Sequence, residues 1–259
     1  MVASPLSRSE KGKCVVDVGV SLLALLVVFG AALLGGISGF GFALVSMPFL
    51  LVLGFPLALL VPLNLSIALL TRIAVAYHLR EHIRYQRVLI MAGASVPGIG
   101  LGLVTLGLVA SSTIKLVTGV VVIIATALIW QASRRPPARL VPGAPALAGV
   151  LGGFLGATTS LNGIPAVLLL AREQTAPRRF QGELALFFVL TNTATLFLLA
   201  TQGRLPGVSV LPLGLLWLSV ALVANHLGTQ LGGKLPAARF RYLAMSLAFL
   251  AGVMTILTA

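Results

Sequence analysis

The chain has 259 residues, of which 58% are hydrophobic and only 9% charged, with a mean hydropathy of +1.09. A soluble domain carries roughly 25% charged residues, so this composition excludes a soluble globular fold and points to an all-α polytopic membrane protein. The net charge of +13 does not mark a nucleic-acid binder. It sits in short clusters between apolar runs, the pattern of cytoplasmic loops, and forms no continuous basic face.

Residues 1–17 form a polar tail with Arg8, Lys11 and Lys13. The tail and the apolar run after it resemble the basic and apolar regions of a signal peptide. The run flows without interruption into a glycine-rich stretch, so it reads as a retained first membrane segment. That stretch, residues 35–48, is GGISGFGFALVSMP. The next apolar run, from Leu57, carries Pro62, Asn64 and Arg72 and ends at the basic loop of Arg80, Arg84 and Arg87. A further span carries Gly98, Gly100 and Gly102, a small-residue stripe suited to close helix packing. Another follows and stops at Arg134, Arg135, Pro136 and Pro137.

The second half runs parallel to the first. Gly35, Gly36, Gly39 and Pro48 recur at a constant offset as Gly152, Gly153, Gly156 and Pro165, within the tract GGFLGATTSLNGIP. Asn64 recurs as Asn192, and Gly98 and Gly102 as Gly228 and Gly232, at a somewhat larger offset. The chain divides accordingly into a tail (1–17), a first membrane repeat (18–133), a cytoplasmic linker (134–143) and a second membrane repeat (144–259). Equivalent loops of the halves carry opposite charge signals, as inversion of one repeat relative to the other predicts. Inversion requires residues 144–170 to enter and leave on one side, as a re-entrant hairpin. The count of membrane segments is then about seven or eight, and eight simple spans are the alternative.

The two glycine tracts are the candidate site. Glycine and proline break a helix, and broken backbone inside a membrane must face protein or a water-filled cavity. Such interruptions at matching positions of two halves point to a transporter's binding site. A helix restarting after Gly41 or after Asn162 presents unpaired N–H groups and a partial positive charge to an oxyanion. Ser38, Thr158, Thr159 and Ser160 add hydroxyl donors, and Gly39 belongs to the first break. The competing reading is that these glycines only permit close helix packing.

Arg72 is the most informative single charge, because an arginine within a span is costly and is retained for an anion, a carboxylate or a cavity. Snorkelling toward the basic loop is its alternative. At the offset relating Asn64 to Asn192, Arg72 corresponds to Ala200, so a site using it is asymmetric. His226, beside Asn225, suits proton coupling near neutral pH or a bond to a neighbouring carbonyl. Asn64 and Asn192 suit either substrate contact or bonds between helices, with the second reading favoured.

Several stretches carry a family resemblance: Gly35–Gly36, Gly39–Phe40–Gly41, Pro48, Leu53–Gly54–Phe55–Pro56, His78–Leu79–Arg80, the Gly98/Gly100/Gly102 run and the repeated tract ending at Pro165. With these residues the chain resembles the TauE/SafE family of sulfite exporters and related permeases, from about Ala24 onward. It departs from the family at Phe42, where a glycine is frequent, and at Glu81–His82–Ile83, which lacks the usual Gly…Asp. The resemblance implies a small anion, often sulfite or another sulfur-containing oxyanion or sulfonate, moved across the cell membrane.

An enzyme is the competing class, and the sequence argues against it. Asp17 is the only aspartate, no His-Glu-x-x-His stands anywhere, and Glu81, Glu173 and Glu183 lie in or beside loops. A membrane scaffold without transport activity is the other alternative. No cofactor and no metal site is expected, Cys14 being the single cysteine. The expected partners are a small anionic substrate and the lipid bilayer, with no nucleic acid; a homo-oligomer is left open.

Overall fold

A computed structural model describes residues 6–8, 14–16, 18–134, 136, 142–232 and 237–258. Most of the tail 1–17, most of the linker 134–143 and the loop 233–236 with Lys234 lie outside the described residues, so the expectations placed there are not addressed. Among the described residues two short antiparallel strands, Leu6–Arg8 and Cys14–Val16, precede ten α-helices. These are α1 (Val18–Ser38), α2 (Phe42–Val52), α3 (Leu57–His78), α4 (Tyr85–Leu108), α5 (Ser111–Arg134), α6 (Ala144–Thr159), α7 (Gly163–Arg172), α8 (Pro177–Thr201), α9 (Leu211–Gly232) and α10 (Ala237–Leu257). Among the described residues six helices are long and apolar enough to cross a membrane, while α2, α6, α7 and the Met245–Leu257 part of α10 are shorter.

Local chemistry explains the interruptions. Gly39 (φ +79°) and Gly41 (φ +107°) adopt the left-handed region open to glycine, so α1 stops and α2 starts at Phe42. α2 ends in a Schellman turn, with the N–H of Phe55 donating to Leu50 and that of Gly54 to Leu51. α7 ends the same way, the N–H of Thr175 donating to Leu170 and that of Gln174 to Ala171.

The helices pair in a crossed pattern that suggests internal symmetry. α1 packs on α9 and α4 on α6, α2 meets α10 and α5 meets α7, while α3 packs on α8 and α5 on α10. Glycines set the two closest seams. Gly98 and Gly102 of α4 lie against Val150, Phe154 and Ala157, and Gly149 and Gly153 of α6 lie against Met91 and Ser95. Contact positions rise together along both chains, so α4 and α6 run parallel. A Cβ at Gly98 or Gly153 would collide with a backbone carbonyl. Such close approach matters in a membrane, where packing rather than solvent exclusion holds helices together. Gly100 does not belong to the stripe expected from the sequence: it lies on the exposed face of α4, with open space beside it. Gly36 and Gly228 make the equivalent approach between α1 and α9.

Contacts at one end of the bundle fix the direction of α7. Arg87, in the first turn of α4, ion-pairs with both Glu173, just beyond α7, and Glu183 of α8. Arg172 donates to the Pro136 carbonyl beyond α5 at 3.5 Å. Thus α6 begins at this end, runs inward beside α4, and α7 returns to the same end. The end also carries Arg80 and Arg84 and is called the basic end below. Ile37, Ser38 and Phe40, where α1 stops, lie close to Leu170, Ala171 and Gln174, so the turn between α1 and α2 points toward the basic end. α2 leads from there to the start of α3, at the opposite end.

Candidate functional site

The two helix breaks meet at a cavity of about 40 Å³. At ~10–15 Å³ of such volume per water, it has room for about three water-sized bodies. Phe40, Gly41, Phe42, Ala43 and Leu44 line it from the first break, and Ser160, Leu161, Asn162, Gly163 and Ile164 from the second. Ala68 and Arg72 of α3, Ile129 of α5, Val167 of α7 and Phe188 of α8 complete the wall. The first turns of α2 and α7 both border it, so the positive ends of two helix dipoles converge there.

Arg72 is 4% exposed. Its Nη2 donates to the Gly35 carbonyl at 2.8 Å, an oxygen that also accepts the Gly39 N–H at 2.9 Å. Among the described residues both ion pairs belong to Arg87, and no carboxylate pairs with Arg72. Among the described residues the guanidinium thus stands beside the cavity without a carboxylate, bonded to the carbonyl end of α1.

The polar residues of the breaks divide into two groups. Gly41, Arg72, Ser160 and Asn162 line the cavity. Asn64 and Asn192 stand one bond behind it. The Asn64 amide nitrogen reaches Ser160 Oγ at 3.4 Å, and its oxygen accepts from Ser46 at 3.4 Å. The Asn162 amide donates to Asn192 Oδ1 at 2.7 Å and to Thr191 Oγ1 at 2.9 Å, and Asn192 donates onward to the Leu65 carbonyl of α3 at 3.2 Å. The two asparagines thus bridge helices.

Other sequence candidates lie elsewhere. Thr158 and Thr159 donate back to α6 carbonyls, at Phe154 (2.8 Å) and Leu155 (2.9 Å) respectively. Ser38 donates to the Leu34 and Phe40 carbonyls and lines a separate cavity of about 280 Å³ toward the basic end. Gly39 packs against the Gln181 side chain. His226 is exposed on α9 and bonds to Gln230, one turn on, at 2.9 Å.

Three features escape a reading of the sequence. Phe188 and Ile129 wall the cavity but look like any other apolar helix residue. Phe40, between two glycines, carries a local signal, since a bulky ring in the middle of a backbone break is conspicuous. Glu183 is 0% exposed and sits inside α8 rather than in the loop. Its partner Arg87 is nearly a hundred positions away, a pairing that no local pattern displays.

The family described as "Sulfite exporter TauE/SafE" matches residues 24–255. No curated protein and no solved structure matches the chain.

Proposed function

The chain belongs to the sulfite exporter TauE/SafE family, and we propose that the cavity between its two helix breaks is where it holds a small anion in transit. Membership makes the chain a multi-pass membrane permease rather than an enzyme. The observation that carries the site is Arg72, a buried guanidinium without a carboxylate partner among the described residues, on the wall of a cavity bordered by two helix N-termini. An anion there gains from the fixed charge and from the first-turn N–H groups of α2 and α7. The small volume favours a compact oxyanion such as sulfite over a bulky organic anion.

The architecture suits alternating access. We read residues 18–133 and 144–259 as two inverted repeats joined by the linker 134–143, each opening with a helical hairpin, α1–α2 and α6–α7. The two hairpins point in opposite directions and meet at the cavity, and the crossed helix pairing follows from a pseudo-two-fold axis in the membrane plane. The arginines at one end of the bundle mark that end as cytoplasmic.

Transport by purified protein in proteoliposomes, comparing sulfite, thiosulfate, sulfonates and simple carboxylates, tests the reading together with Arg72→Gln. Loss of a charged hydrogen bond, about 1.5–3 kcal/mol, lowers apparent anion affinity about ten- to hundredfold. The loss should be larger for a divalent than for a monovalent anion, since Coulomb attraction scales with charge. The Gly35 bond supports a second role for Arg72, capping the carbonyl end of α1. If that were its whole role, Arg72→Gln would lower the melting temperature and leave affinity for both anions unchanged.

A further inference from the structure

Two cavities adjoin at Phe40, one lined by Arg72 and the other by residues near the basic end. The inner one holds Arg72. The outer one, about 280 Å³, is lined by Ser38, Gln174, Thr175, Phe180 and Gln181 among others. Among the described residues Phe40 alone lines both. Its ring packs edge-on against Phe180, with centroids 6.0 Å apart and an interplanar angle of 68°. Phe40 is 6% exposed, a buried side chain where the two linings adjoin.

The backbone at this point is suited to a hinge. Phe40 lies between Gly39 and Gly41, both at positive φ, and glycine tolerates a wide range of backbone conformations. The polar holds on Phe40 are local: its carbonyl accepts from Ser38 Oγ, and its N–H reaches the same oxygen at 3.4 Å. The nearby tertiary tie is the Arg72 bond to the Gly35 carbonyl.

We propose that Phe40, seated on Phe180, is the gate through which the anion passes between the Arg72 cavity and the basic end of the protein. The proposal rests on the reading of that cavity as the anion site. It makes Phe40 the residue that sets access from one side, with Gly39 and Gly41 as its hinges. The outer cavity, with its hydroxyl and amide lining, is the vestibule in which an anion waits.

Thiol accessibility tests the gate without any transport. Cys14 is replaced by serine and Ala43, on the cavity wall, by cysteine. The anionic reagent sulfonatoethyl methanethiosulfonate is then applied to full-length protein in sealed vesicles of either orientation. With Phe40 in place, reaction from the basic end is slow. Adding Phe40→Ala should accelerate it by about tenfold or more, as removal of a gate does, with little change from the opposite end. Phe180→Ala, which keeps the Phe40 ring but removes its seat, should give a smaller acceleration from the same end. Equal rates with and without both substitutions overturn the gate. Equal acceleration from both ends also overturns it, because that reports a loosened bundle. Side-specific acceleration in a protein that moves no anion would leave the gate standing and remove the transport reading of the cavity.

Discussion

The two helix breaks occupy matching places in the sequence, yet they are held in different ways. The first, between α1 and α2, turns on two positive-φ glycines and is fixed locally, by Ser38 bonding the backbone of Phe40. The second, between α6 and α7, turns on Ser160 at φ +57° and is fixed by tertiary bonds, from Asn162 to Thr191 and Asn192 of α8. The tertiary hydrogen bond described at the first break is that of Arg72, the group proposed to meet the anion. We read the first break as the softer and charged one, the second as the stiffer and neutral one. A transport site needs both kinds: a wall that stays put while the opposite wall moves. The difference is visible in the sequence, where Arg72 has Ala200 at the matching position.

The largest expected effect comes from breaking the stiff side. Asn162→Leu removes two buried hydrogen bonds and leaves Asn192 Oδ1 without its donor. An unsatisfied buried polar group costs about 1–3 kcal/mol, so thermal unfolding in detergent should show a clear drop in midpoint. Ser38→Ala, on the soft side, should shift that midpoint much less. Equal losses from the two substitutions would erase the distinction between the breaks.

A middle-sized effect is expected at the hinge. Gly41→Ala forces a side chain into the left-handed region at a cost of about 1–2 kcal/mol. The strain is relieved by moving the hinge, so exchange between substrate-bound and free states should change more than the unfolding midpoint does. Anion uptake measured beside thermal unfolding separates the two. A pure stability loss with wild-type uptake would show that the first break is a static turn.

The smallest effect is expected at Ser160→Gly. Glycine relieves the left-handed strain but gives up the weak 3.4 Å contact with Asn64 and adds freedom to the unfolded chain. These terms oppose each other, and the midpoint should move by less than about 1 kcal/mol in either direction. A large loss of stability would mean that the Ser160 hydroxyl, rather than Asn162, anchors the second break.

Much of this organisation is legible in the sequence because it depends on local chemistry. The apolar runs and sparse charge define a polytopic helical membrane protein. Glycine places the first interruption, and α2 and α7 begin at Phe42 and Gly163, directly after Gly41 and Asn162, while Pro48 and Pro165 lie inside the helices that follow. The cost of an arginine inside a span singles out Arg72 before any neighbour is known. These are properties of a residue and its immediate chain, and they survive without tertiary information.

What each polar side chain faces was decided by the tertiary structure alone. Thr158 and Thr159 stand beside the second break in sequence, but their hydroxyls turn back to their own helix. Asn64 and Asn192 join helices behind the cavity, while His226 lies on the exposed face of α9. Glu183, near the start of an apolar span, is buried only because Arg87 of α4 comes to meet it. The physical reason is the same throughout. Sequence fixes where a helix starts and stops, but its rotation about its own axis and the identity of its neighbours are set by packing. In this protein that packing is set by the glycine seams between α4 and α6 and between α1 and α9, where a single added Cβ would hold the helices apart.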